Sequence, residues 1–184
     1  AESTLIPTDA LARSIDNIQF IATSDTVISR SAAGDVEISI NTVTNSGNYQ
    51  IIVGGVSVVY TADSSATEQE IANGLALLLD NTKYLATAEN GILRIRAIDL
   101  YSDFTLTFDS KLSLDKLGSP VVFTCVDLGA QVLPIGSLNR IDTSIFGWDE
   151  INNLVAGSTG RDVESDEDLR ARHASLKSVL GSAT

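Results

Sequence analysis

The run Asp162-Val163-Glu164-Ser165-Asp166-Glu167-Asp168 gathers more ionisable side chains than any other stretch of the chain. Acids at alternate positions are what a calcium loop offers. An EF-hand loop also needs glycine at its sixth position and a bidentate glutamate at its twelfth; counted from Asp162, those places hold Glu167 and His173. The same acids suit a helix start better. Ser165 is an N-cap residue, Asp166, Glu167 and Asp168 fill the first turn, and Arg170, Arg172 and Lys177 follow, which complements the helix dipole. Leu169, His173, Leu176 and Leu180 then form one apolar stripe, so the sole histidine reads as a packing residue rather than a metal ligand. Gly157-Ser158-Thr159-Gly160-Arg161 offers backbone N–H groups to a phosphate. It lacks the glycine spacing and the Lys-Ser/Thr of a P-loop, and reads as a turn before a capped helix.

The remaining candidates are few. Cys125 lies in the apolar run Val121–Val126 and reads as a small hydrophobe. Carboxylate pairs are plentiful enough for glycoside chemistry, but aromatic residues are only 5% of the chain, which leaves few platforms for sugars. No nucleophile, base and orienting residue stand out as a set, so no catalytic, cofactor or metal residue is assigned. The expectation is a protein that is not an enzyme and has no cofactor. Trp148, the only tryptophan, reads as a core anchor or an interface residue.

Bulk properties narrow the partners. The chain has 184 residues with 12 Lys and Arg against 24 Asp and Glu, a formal charge of −12. That charge argues against nucleic acid and anionic membrane surfaces, which need a cationic face. No apolar run approaches the roughly 18 residues of a membrane span. A single cysteine excludes an internal disulfide framework. The absence of methionine, even at position 1, leads us to expect a processed product or a piece of a longer protein.

Most of the chain reads as strand. Ile18–Ala22 and Thr26–Ile28 are short β-rich runs, and Val36–Ile40 alternates with period two. Gly54-Gly55 between Tyr49–Val53 and Val56–Thr61, and Asn90-Gly91 between Tyr84–Ala88 and Ile92–Ile98, predict two hairpins. Phe104–Phe108, Val121–Val126 and Ser137–Ile141 are further strands. Thr67-Glu68-Gln69-Glu70 is a capping box opening a helix over Thr67–Asp80, with Ile71, Leu75, Leu78 and Leu79 as its apolar stripe. Gly74 weakens that helix but allows close packing on a sheet.

One ordered series of residues carries a family likeness. Gly147-Trp148, Asn152-Asn153 and the run from Gly160-Arg161-Asp162, through Glu164-Ser165, to Asp168-Leu169-Arg170-Ala171-Arg172 resemble the signature of the baseplate J-like proteins. Gly129 and Pro134-Ile135-Gly136-Ser137-Leu138 fit the same pattern, which covers about residues 119–180 and more weakly 5–30. Ala130-Gln131-Val132-Leu133 departs from it, since an Asn-Val pair is commoner there. Residues 31–118 resemble a small α+β module of phage tail proteins, in Val56–Tyr60, Thr61-Ala62-Asp63 and Glu70–Leu75.

The resemblance implies an α+β, mostly antiparallel β architecture. Residues 1–30 and 119–160 would form a discontinuous outer β domain, 31–118 an inserted α+β module, and 161–184 a helix leading onward. It implies a structural wedge component of a contractile phage tail baseplate or related injection machine. Such a subunit resides in the virion after assembly in the bacterial host cytoplasm. Its partners would be other wedge subunits, with copies of itself as a further candidate in the ring. The competing expectation is a β-rich receptor- or glycan-binding module of a virion or cell surface.

Overall fold

The computed structural model describes residues 3–160 and 165–171. Their backbone is mostly antiparallel β, with one long helix and one short helical segment at residues 166–171, a β-rich α+β fold. In chain order the strands are β1 (Ser3–Ile6), β2 (Leu11–Ser14), β3 (Gln19–Ala22), β4 (Thr26–Ser29), β5 (Asp35–Ile40), β6 (Asn48–Val53) and β7 (Val56–Thr61). Helix α1 (Glu68–Leu79) follows. The remaining strands are β8 (Tyr84–Glu89), β9 (Ile92–Ala97), β10 (Leu106–Phe108), β11 (Leu112–Gly118), β12 (Phe123–Cys125) and β13 (Leu138–Ile141).

Buried side chains fall into two clusters. The larger runs from Ala33 to Leu112 and is built on two sheets, of order β10-β6-β7 and β11-β5-β9-β8, with α1 packed against β7, β8, β9 and β5. Period-two alternation places Val36, Ile38 and Ile40, then Tyr49, Ile51 and Val53, then Leu93, Ile95 and Ala97 inward. Both predicted hairpins form. Gly54 and Gly55, at φ 57° and 80°, join β6 to β7, and Asn90 and Gly91, at 52° and 77°, join β8 to β9. Positive φ at both central residues is the conformation a primed two-residue turn requires.

Helix α1 obeys its sequence signal with two corrections. Thr67 Oγ1 accepts the Glu70 N–H at 3.1 Å, as a cap should. The reciprocal half of the capping box is absent, because the Glu70 carboxylate turns to the Tyr60 hydroxyl on β7. Leu78 is 50% exposed, while Ala72 and Ala76 are buried with Ile71, Leu75 and Leu79. The sheets cover the side of the stripe that carries the alanines and leave Leu78 on its margin. Gly74 is the close-approach point: a Cβ there would overlap the Tyr60 ring.

The smaller cluster joins Ile6, Ala10, Ala12, Phe20 and Ala22 with Leu133, Leu138 and Trp148. Its strands form a four-stranded sheet, β12-β3-β2-β13, and a two-stranded ribbon, β1-β4. Several sequence expectations are corrected here. β1 and β2 carry no strand signal in the sequence, being four residues long with their polar residues side by side. The expected strand at 121–126 shortens to Phe123–Cys125. It pairs with β3, while β13 pairs with β2, and β4 with β1. In the larger cluster, the strand expected at 104–108 begins at Leu106, Phe104 making only an isolated bridge to Ala33. β11 has no clean period-two pattern in the sequence because a bulge between Leu114 and Lys116 breaks its alternation.

The chain passes between the clusters twice, at residues 29–32 and 118–120. Gly34 and Gly118 lie together there, Gly34 N–H donating to Gly118 C=O at 2.7 Å. Leu106 N–H donates to Arg30 C=O at 2.7 Å, the Arg30 guanidinium lies 4.6 Å from the Phe108 ring centre, and Lys116 pairs with Glu150 at 3.2 Å.

Candidate functional site

Several of the residues singled out in the sequence build turns and clamps beside the β12-β3-β2-β13 sheet. Gly147, at φ 82°, follows Phe146 in a turn closed by Trp148 N–H to Ile145 C=O at 3.1 Å. Positive φ at the third residue is the type II pattern, which favours glycine. The turn swings Trp148 inward, where it is 7% exposed and stacks on Phe123 with ring centres 6.3 Å apart. It leaves Phe146, the second turn residue, 92% exposed. Pro134-Ile135-Gly136-Ser137 repeats the device. Gly136 has φ 72°, Ser137 N–H donates to Pro134 C=O at 3.2 Å, and Ile135 is 68% exposed.

Asn152 and Asn153 separate by role. Asn153 Oδ1 accepts the Leu138 N–H at 2.9 Å, and its Nδ2 donates to the carbonyls of Pro134 and Val155, each at 2.8 Å. That one side chain ties the Pro134 turn, strand β13 and the following segment together. Asn152 is exposed and takes no such part. Gly157 and Gly160 allow the segment to lie close on the chain before β13. A Cβ on Gly157 would press on Leu133, and one on Gly160 on the Gly129 carbonyl.

Beyond this, Ser165 Oγ accepts the Asp168 N–H at 3.1 Å and donates to Asp168 Oδ2 at 2.6 Å, while Asp166 pairs with Arg170 at 2.6 Å. These acids are engaged at a helix start. Leu169 is exposed. Arg161, Asp162, Glu164, Arg172 and His173 lie outside the described residues.

Two charge pairs flank the outer sheet. Arg13 Nε and Gln19 Nε2 both donate to Asp142 Oδ2, at 2.9 and 3.1 Å. The Arg13 guanidinium holds the Asp142 carboxyl below the usual carboxylate range. Glu150 in turn raises the Lys116 ammonium by accepting its hydrogen bond. Both pairs are open to solvent, where ion pairs contribute little. Cys125 packs at the edge of the smaller cluster, as an apolar run implies.

Among the described residues no three His, Cys, Asp or Glu side chains converge as a metal site. What the arrangement offers is exposed apolar turn tips on a rigidly clamped scaffold. Phe146 and Ile135 were not singled out by their sequence context, since only the turns decide that they face outward. No known family model matches the sequence, and no curated protein is significantly similar to it.

Proposed function

We propose that this chain is a structural component of a contractile tail baseplate wedge, assembled through protein–protein contacts and carrying no catalysis of its own. One observation carries the reading. Among the described residues, the glycines, the tryptophan and Asn153 that resemble the baseplate J-like signature build and clamp turns. Gly147 and Gly136 push Phe146 and Ile135 into solvent, and Asn153 ties the Pro134 turn to β13 and to the segment at Val155. Large apolar side chains fixed at turn tips are what a subunit buries on assembly. The domain organisation goes with it: residues 1–30 and 119–160 as an outer β domain, and 31–118 as an inserted module with its own cluster of buried residues.

The test is made on particles. Tails assembled without this chain should lack a closed baseplate by negative-stain electron microscopy, and Phe146→Asp with Ile135→Asp should reproduce that defect. Complete baseplates formed without the chain would overturn the reading. Binding of the wild-type chain to a glycan array, lost in that double variant, would favour the receptor-binding alternative.

A further inference from the structure

A shallow groove of about 610 Å³ runs beside the last strand of the outer sheet, lined by Asn139, Ile141, Asp149, Glu150, Ile151 and Asn152. One wall is the free edge of β13, which pairs only with β2. Ala10, just before β2, accepts from Ala22, and Ser14, at the end of β2, donates to Ile18, so both direct these backbone groups to the β3 side. Alternation makes Ala12, midway between them, do the same. Ile141 faces Ala12 across β13, so its N–H and C=O point away from β2, toward the groove, and no described residue bonds them. At the other end of the strand Asn153 already takes the outward Leu138 N–H. The edge is therefore closed at Leu138 and open at Ile141.

Two isoleucines and two acids line the groove, beside two asparagines. Ile141 and Ile151 pack against the smaller cluster. Among the described residues Asp149 meets no cation, and Glu150 reaches only Lys116, both members of that pair being largely exposed. The chain carries −12 overall, so a second copy brought to this wall would add like charge.

We propose that the groove receives an extended segment of a different, basic polypeptide. The segment adds its backbone to β13 at Ile141, lays the aliphatic stem of a lysine or arginine over Ile141 and Ile151, and brings the cationic head to Asp149 and Glu150. The inference rests on the assembly reading and names the chemistry of one partner.

The test is an amide NMR titration of the full chain with a short alternating valine–arginine peptide, beside the same peptide with glutamate in place of arginine. The arginine peptide should shift the amides of residues 139–143 and 149–152, and the glutamate peptide should not. Asp149→Asn with Glu150→Gln, both at the surface, should weaken binding by about tenfold and leave the circular dichroism spectrum unchanged. No shift, shifts scattered over every acidic surface, or equal affinity in the double variant would overturn the groove. Such a failure would still leave intact baseplates dependent on the chain, which separates it from failure of the assembly reading.

Discussion

The two clusters solve the same problem differently. The larger one buries twenty of the described residues between two sheets and a helix, and its strands are mostly six or seven residues long with regular alternation. The smaller buries eight, on strands of three or four residues. With so little apolar area, the smaller cluster relies on turns, on glycines at close approaches and on Asn153. Burial tolerates many equivalent sequences that keep the alternation. Clamps need particular residues at particular places, since a lost partner leaves buried backbone groups unpaired. Sequence patterns should therefore be mainly periodic where burial dominates and residue-specific where clamps dominate.

The largest test of the contrast is excision. Replacing residues 31–118 with a short Gly/Ser linker should leave the outer region folded, and the excised segment should fold alone, each giving a dispersed amide spectrum. Few contacts cross between the clusters, and Gly34 lies against Gly118 where the chain would be rejoined. Collapse of either piece would show that the clusters form one cooperative core.

Single substitutions should act locally. Trp148→Ala removes the largest side chain of the smaller cluster and should cost about 3–5 kcal/mol. Leu93→Ala in the larger cluster should cost about 2–5 kcal/mol. Hydrogen exchange should report each loss in its own cluster, and faster exchange spread equally over both would contradict the separation. Asn153→Ala should cost about 0.5–1.5 kcal/mol, because the partly buried Leu138 N–H loses its acceptor while the Pro134 carbonyl keeps the Ser137 N–H and hydroxyl. Its effect should concentrate on Leu138 and the Pro134 turn, and a melting curve identical to wild type would remove the clamp from the account.

The smallest effect separates the clusters by pH. Asp142 in the outer region titrates below its unfolded value because of Arg13. Its pair therefore adds stability above a pH of about 4, which is lost as the pH falls through the native value. Asp25, lowered by the Thr8 N–H, acts in the same direction. Asp99 is lowered too, but it sits in a loop outside the sheets. In the inner region the bond to Glu70 pushes the Tyr60 phenol up to about 12. Its contribution is complete below a pH of about 10 and is lost as the pH rises toward about 12. Acid should loosen amides of β2, β3 and β13 first, and alkali those of β7 and α1. Tyr60→Phe should abolish the alkaline step, and an unchanged step would remove Tyr60 as its source.

What the sequence determined by itself is local. Gly54-Gly55 and Asn90-Gly91 specify hairpins because both central residues must adopt positive φ, and few residue types do so cheaply. Thr67 and Ser165 specify helix starts because a hydroxyl three residues upstream satisfies an otherwise unpaired N–H. Val36–Ile40 specifies an inward face by alternation alone. Tertiary structure decided the rest. Strands as short as β1 and β2 exist only because partners distant in sequence pair with them, β2 with β13 across more than a hundred residues. Leu78 is exposed, and Glu70 abandons its capping role, because of what lies across from the helix, which no spacing within α1 records. The groove beside β13 has the same origin. Ile141 and Asp149 become neighbours in it only after β13 has taken its place on β2 and the Trp148 turn has brought the chain back along the sheet edge. Turns and caps are settled by the backbone conformation of a few adjacent residues, whereas pairing and exposure are settled by which distant surfaces meet.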